Sequence, residues 1–438
     1  MSQNYIPQIV IQTKPFITVS ARGISNGLSN TFNDGADFGP DTLLNATSPS
    51  QYGPPFSNTS GIQEALNYAA QISAPVQLGS GTFPVSTAIL LPAVGNGLFL
   101  RGASEHFTTI EQASGYTGPI MQWANTTTPN AMYYFGHFRL YGPNGGGGSV
   151  WLMDLLQNEV AVAGMLEQIR IVHKNVGALR LDGNEDTITV KMNIDNGGTG
   201  IPGVSWTIPR GAAMDVGSEF ISGGFVHAQL FNFVGSVFGG DQIMNLFPTG
   251  VNATYNFHGC YWNNPTPPQI YVYPAGGSTN TISLNFIGCM VNPSGSPLAN
   301  PFFYNPTNTT VTLYAKFIDT LIQSSSAVNL FGSNINGYAE FDDLTQPLIN
   351  VNVNNASVST PTVPSSGTAQ QNSNPFPVTV YLSGGSATQV QVKKYGNTYT
   401  IWSASTATAI PPLSVRLNPG DNIIVTYTTV PTWTWVPA

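Results

Sequence analysis

The chain has 438 residues, of which 13 are Lys or Arg and 21 are Asp or Glu, for a formal net charge of −8. Only 8% of residues are charged, yet 41% are hydrophobic, with 23 Phe and 18 Tyr, which excludes a disordered polymer and provides for a sizeable core. Lys393–Lys394 is the one adjacent basic pair, so nucleic acid is excluded as a main partner, and no apolar run approaches the roughly 18 residues that membrane insertion needs.

Met1–Pro7 has no basic region followed by an apolar run and does not read as a secretory signal. Residues 1–23 read as an extended apolar arm through Ile9-Val10-Ile11 and Phe16-Ile17-Thr18-Val19. Such an arm pairs with a neighbouring protein, or it is the first strand of the body. The spacing predicts one helix over 60–72: Ile62, Leu66, Ala69 and Ile72 share a face, Ser60 with Gln63 fits a capping box, and Pro75 stops it.

Short strands then follow at close spacing, each ended by Gly, Pro or Asn, and the pattern holds to about residue 360. Tyr255-Asn256-Phe257-His258-Gly259-Cys260 matches Leu284-Asn285-Phe286-Ile287-Gly288-Cys289 at a constant offset. An offset of about 20–30 residues is what one coil of a β-solenoid needs. Phe257 is therefore expected over Phe286 and Cys260 over Cys289, as interior columns rather than a disulfide or metal pair. Residues 361–375 have the makeup of a linker. Residues 376–438 alternate strongly between polar and apolar, with turns at Gly384-Gly385, Gly396-Asn397 and Pro419–Asn422, and read as a small β-sandwich.

The stretch Asn33-Asp34-Gly35-Ala36-Asp37-Phe38-Gly39-Pro40-Asp41-Thr42 resembles the opening signature of pectate-lyase-like β-helix proteins. Gly61–Leu66, Val76–Val85 and Leu98–Ser104 follow in that family's order, with an insertion between Asp41 and Ser60. The resemblance implies an all-β right-handed parallel β-helix over residues 24–360, closed by an N-terminal capping helix. The family includes polysaccharide lyases, glycoside hydrolases and viral tailspikes, so the likeness marks a fold and not an activity. The C-terminal module, ending in Thr428-Thr429-Val430-Pro431-Thr432-Trp433-Thr434-Trp435, resembles a terminal β-module of viral and surface fibre proteins.

Glycoside hydrolysis needs two facing carboxyl groups. The family's polygalacturonase motifs are absent from this chain. The acidic candidates are Asp182, Glu185, Asp186 and Asp195, although Asp182-Gly183-Asn184-Glu185-Asp186 also reads as an ordinary turn. The five His residues show no metal spacing, and neither a metal nor a cofactor is expected. Tyr133, Tyr261 and Tyr271 are the candidates for stacking on sugar rings, with Tyr261 outward and Trp262 inward by strand alternation. These features together read as a virion-surface or extracellular spike, fibre or turret component. It would bind host-surface glycan, meet other virion proteins through the N-terminal arm and form a homo-oligomer, a trimer by tailspike resemblance. The alternative is a polysaccharide lyase or glycoside hydrolase.

Overall fold

The computed structural model describes residues 16–23, 36–92, 97–124, 132–143, 150–157, 163–173, 177–183, 186–195, 204–207, 213–220, 224–228, 230–239, 244–248, 252–263, 270–274, 281–291, 301–342, 344–345, 348–374 and 376–438. The body is a right-handed parallel β-solenoid with three faces. The first face runs from Val76–Leu78 through Leu98–Arg101 to Val311–Ile318 and Ile335–Phe341. The second runs from Gly81–Val85 through Thr108–Gln112 to Leu321–Asn329 and Leu348–Asn352. Met132–Gly142 and Ala163–His173 pass through the corner between these two faces and join them into one 21-stranded sheet. The third face is a separate nine-stranded sheet from Ile89–Leu91 to Phe303–Tyr304.

The corner between the first two faces is made by one residue in the left-handed conformation. His137, Gln168, Lys191, Gly217, Gly235, Gly259, Gly288 and Asp319 occupy it, with φ between 47° and 67°. The bends at Lys191, Gly217, Gly235, Gly259 and Gly288 are held by the coil after them: Gly217 N donates to Val234 O at 2.7 Å, and Gly259 N to Ile287 O at 2.8 Å. Glycine takes this conformation freely, whereas an L side chain there costs about 1 kcal/mol.

Inside, equal residues stack coil on coil. Phe233, Phe257, Phe286, Phe317 and Phe341 form one column, with successive ring centroids 5.1, 4.9, 4.9 and 5.1 Å apart and nearly parallel planes. The offset read between Phe257 and Phe286 is thus the true register. Immediately after the corner, a second column of small buried side chains holds Ser218, Ser236, Cys260, Cys289 and Thr320. The two cysteines are free and buried, as a small-residue column requires. The Cys260 thiol is held above the ordinary thiol range by its contact with Cys289 and by burial.

Helix α1, Ile62–Ile72, closes the first coil with Ile62, Ala65, Leu66 and Ala69 buried. Its start differs from the capping box read in the sequence. Thr59 Oγ1, not Ser60, accepts from Gln63 N at 3.1 Å, while Ser60 Oγ donates to Pro84 O at 2.6 Å. The Gln63 side chain instead clamps the backbone of Leu90, accepting from its N–H at 2.6 Å and donating to its carbonyl at 2.8 Å. Of the N-terminal arm, Ile17–Val19 lies within the described residues and pairs with Val76–Leu78 as a strand of the body.

The C-terminal module is an antiparallel five-stranded sheet. Gly384 and Gly385, read as a turn, are left-handed residues inside the long strand Val378–Lys394, where the register shifts and the strand bends. The stretch read as a linker is built into this module. Ala369–Gln371 adds a strand beside Asn422–Thr429, and Trp433 Nε1 donates to Pro361 O at 2.7 Å. The module also shares its core with the last coils of the body. Phe376 stacks on Tyr338 at 4.6 Å, and Arg416 pairs with Glu340 at 3.4 Å.

Candidate functional site

Between the corners side chains largely alternate in and out along the strands, so each face displays outward rows that cross the coils. On the third face one row follows the strand pairings Leu90–Gln122–Asp154–Arg180–Ser205 and, beyond the strand Gly224–Ala228, Asn245–Tyr271–Tyr304. At about 4.8 Å per coil it spans about 38 Å. Its residues change at each step. Arg180 holds Asp154 through two hydrogen bonds, of 2.7 and 2.5 Å. Ser205 Oγ lies 2.9 and 3.0 Å from the two carboxylate oxygens of Asp182. Further along, the Tyr271 and Tyr304 rings lie 5.3 Å apart and those of Tyr271 and Tyr273 lie 6.3 Å apart. Partial burial, and then the neighbouring phenol of Tyr304, raise the pKa of Tyr271 above the usual phenol value, so the Tyr271 hydroxyl stays protonated and can donate.

At the N-terminal end of this row a cleft of about 650 Å³ opens beside α1. Leu90 and Ala124 line it beside the sheet, and Asn45, Asn58 and Asn67 supply amides. The cleft and the row are thus one surface, joined at Leu90. Amides, a guanidinium–carboxylate pair, a hydroxyl and a run of tyrosines are the side chains that hydrogen-bond sugar hydroxyls and stack on sugar rings.

The sequence candidates divide among several places. Asp182 and Tyr271 belong to the third face. Tyr261 points outward on the second face, between Val237 and Met290, with Trp262 buried behind it. Asp195 is also on the second face, bound to Arg170 through Nε at 3.0 Å and Nη2 at 2.5 Å, so Asp182 and Asp195 stand on different sheets. Asp186 is an exposed left-handed turn residue, and Glu185 lies outside the described residues. Tyr133 is corrected by the structure: it is 3% exposed and cannot stack on a ligand. Its ring packs on Phe135 at 5.1 Å, and Gly164 leaves room for it, since a Cβ there would come within 2.0 Å of the Tyr133 ring. The outward residue is its neighbour Tyr134, whose hydroxyl donates to Glu167 at 2.7 Å and whose pKa is pushed up to about 12 by burial and by that carboxylate.

The sequence reading missed Asp154, Arg180 and Asn245, whose shared row appears only when the coils are placed in register. Asp215 is a group apart. This carboxyl is fully buried in the interior and accepts from Thr189, Ser218 and Ser236 hydroxyls, each at 2.5 Å. Desolvation raises its pKa against the effect of those donors. Being inside, it faces no substrate. Among the described residues no group of three or more His, Cys, Asp or Glu is placed to hold a metal ion, and no helix is long and apolar enough to cross a membrane.

The strand pairings define a parallel β-helix protein. No family model and no curated protein matches the chain. Among solved structures it is similar to the tailspike protein of the Acinetobacter phage vB_ApiP_P1, at 12% identity over 85% of this chain and 84% of that one, with a TM-score of 0.40. It is also similar to tailspike protein gp49 of the Acinetobacter baumannii bacteriophage Fri1, described as a capsular polysaccharide depolymerase, at 9% identity over 95% and 85%, with a TM-score of 0.44. A third is the enzymatically active domain of tailspike protein 4 of bacteriophage CBA120, at 12% identity over 91% and 71%, with a TM-score of 0.35.

Proposed function

We propose that the chain is a virion-surface spike or fibre component that binds host-surface glycan along its third face. The observation that carries this reading is the continuous surface from the α1 cleft through Asp154, Arg180, Ser205 and Asn245 to Tyr271 and Tyr304. Its length of about 38 Å suits a chain of several sugars rather than one small ligand. The test is binding of purified host-envelope polysaccharide to the protein and to Tyr271→Ala. Binding that weakens about tenfold or more in the variant, with melting unchanged, supports the reading. Equal binding by both proteins, or none by either, counts against it.

The proposal includes self-association. On the first face, Phe99, Tyr134, Met165, Ile188 and Met214 stand in one outward row over five successive coils. Phe99, Ile188 and Met214 are 44%, 41% and 37% exposed, an apolar stripe suited to a second copy of the chain. Further along, the row turns into the amide ladder Asn232–Asn256–Asn285, linked at 2.8 and 2.7 Å. A trimer by light scattering is the expected result, and a 46.5 kDa monomer at micromolar concentration would contradict it.

The second reading, a polysaccharide lyase or glycoside hydrolase, is favoured by one observation. Asp154 and Asp182 both flank Arg180 on the proposed glycan face. Oligosaccharide release that disappears in Asp154→Ala and Asp182→Ala would establish it in place of simple attachment.

A further inference from the structure

We propose that Arg139, on the second face, is the core of a second ligand site that takes a carboxylate, as carried by an acidic sugar. The site lies on a different sheet from the glycan row and does not depend on that reading. Thr109, Arg139, Arg170, Asn193 and Glu219 follow one another in register as an outward row. Arg139 and Arg170 are direct partners in that row, so two guanidinium groups start from backbones about 4.8 Å apart.

The two are satisfied unequally. Arg170 gives two hydrogen bonds to Asp195. Arg139 makes no ion pair among the described residues, and its Nε is buried with no hydrogen-bond partner. The carboxylates nearest in register do not serve it. Asp195 is taken by Arg170, and Glu111, opposite Tyr141 on the preceding coil, forms no ion pair with it. Beyond the corner, Glu167 accepts from Tyr134 and lies 3.5 Å from His137 Nε2.

A buried donor without an acceptor is costly, and the cost is larger when the group is charged. A like charge in the adjacent position adds to it. The chain has only 13 Lys and Arg residues, yet it places two of them here in contact register. The Arg139 guanidinium is also held in place, its central carbon 4.9 Å from the Tyr141 ring centroid. A pre-positioned planar guanidinium with an unused N–H recognises a planar carboxylate through paired hydrogen bonds. Thr109 and Asn193, neutral hydrogen-bonding residues of the same row, flank the arginine pair on its two sides.

The experiment follows arginine side-chain N–H resonances in the 15N-labelled full chain during titration, at constant ionic strength. The probes are glucuronate, acetate, glucose and sulfate. The Arg139 Nε–H signal is assigned by its loss in Arg139→Gln. The expected result is a saturable shift of that signal with glucuronate and with acetate, and none with glucose. Arg139→Lys, which keeps the charge and loses the planar pairing, should weaken glucuronate binding about tenfold in calorimetry while melting at the wild-type temperature. The proposal is overturned if glucuronate gives no saturable shift up to about 100 mM, a concentration far above a millimolar Kd. It is also overturned if sulfate shifts the signal as strongly as the carboxylates, or if Arg139→Lys binds glucuronate as the wild type does. Because Tyr271→Ala leaves this face intact, loss of glycan binding in that variant reports on the third face alone.

Discussion

The inside and the outside of the same coils follow opposite rules. The interior repeats: phenylalanine over phenylalanine from Phe233 to Phe341, and a small residue over a small residue from Ser218 to Thr320. The outer row of the third face never repeats until Tyr271 meets Tyr304. Repetition inside is packing, since each coil must bury its apolar side on the next. Variation outside carries information, since a surface that reads a ligand must offer different groups at successive positions. The fold is therefore carried by the columns, and the proposed glycan contacts by a row that the fold merely aligns.

The largest test of this contrast is Phe257→Ala. It removes a fully buried ring stacked on both sides, and a loss of about 3–5 kcal/mol in chemical denaturation is expected. The same truncation at Tyr271 should cost less than about 1 kcal/mol, because that ring is half-buried and caps no column. Similar losses at both positions would erase the distinction between column and row.

Asp215 sharpens the comparison, because it is a buried carboxyl in an otherwise uncharged stretch of small and apolar interior residues. Burial raises its pKa, so the folded state holds the proton more tightly than the unfolded chain. Its contribution to stability is complete below the unfolded carboxyl value of about 4 and is lost as pH rises through the folded value. Wild-type stability should thus fall relative to Asp215→Asn as pH rises from about 4 toward 7, measured by denaturant melts at each pH. Parallel curves would show that the three hydroxyl donors fully offset the desolvation.

A smaller effect is expected at the corners. Lys191 takes the left-handed conformation that Gly217, Gly235, Gly259 and Gly288 take on the following coils. Lys191→Gly should raise stability by up to about 1 kcal/mol, since it removes the penalty of an L side chain there. Because glycine also adds freedom to the unfolded chain, the gain stays at the low end of that range.

The columns were legible in the sequence, and the row was not. The match of Phe257 with Phe286 exposed the coil, and helix α1 declared itself through Ile62, Leu66 and Ala69. Tyr133 shows where alternation fails. Inward positions fall on 133 and 135 before the corner and on 138 and 140 after it, because left-handed His137 shifts the phase by one residue. Histidine gives no sign of that conformation, whereas glycine would. The third-face row was hidden for a related reason. Successive corners fall at 191, 217, 235, 259 and 288, so the coils differ in length and no single offset runs down the row: Asp154 to Arg180 is 26 residues, Arg180 to Ser205 is 25 and Tyr271 to Tyr304 is 33. The Pro361–Pro375 stretch looked like a linker because its composition is polar. Its strand Ala369–Gln371 depends on an edge offered by residues more than fifty positions later.

The most direct test of the central claim is a titration of one host-envelope oligosaccharide into four proteins. These are the wild type, Tyr271→Ala and Asn245→Ala on the third face, and Tyr261→Ala on the second. Binding that falls about tenfold or more in both third-face variants and stays at the wild-type level in Tyr261→Ala is the predicted result. Binding that is unchanged by both third-face substitutions, or lost through Tyr261→Ala alone, would contradict it.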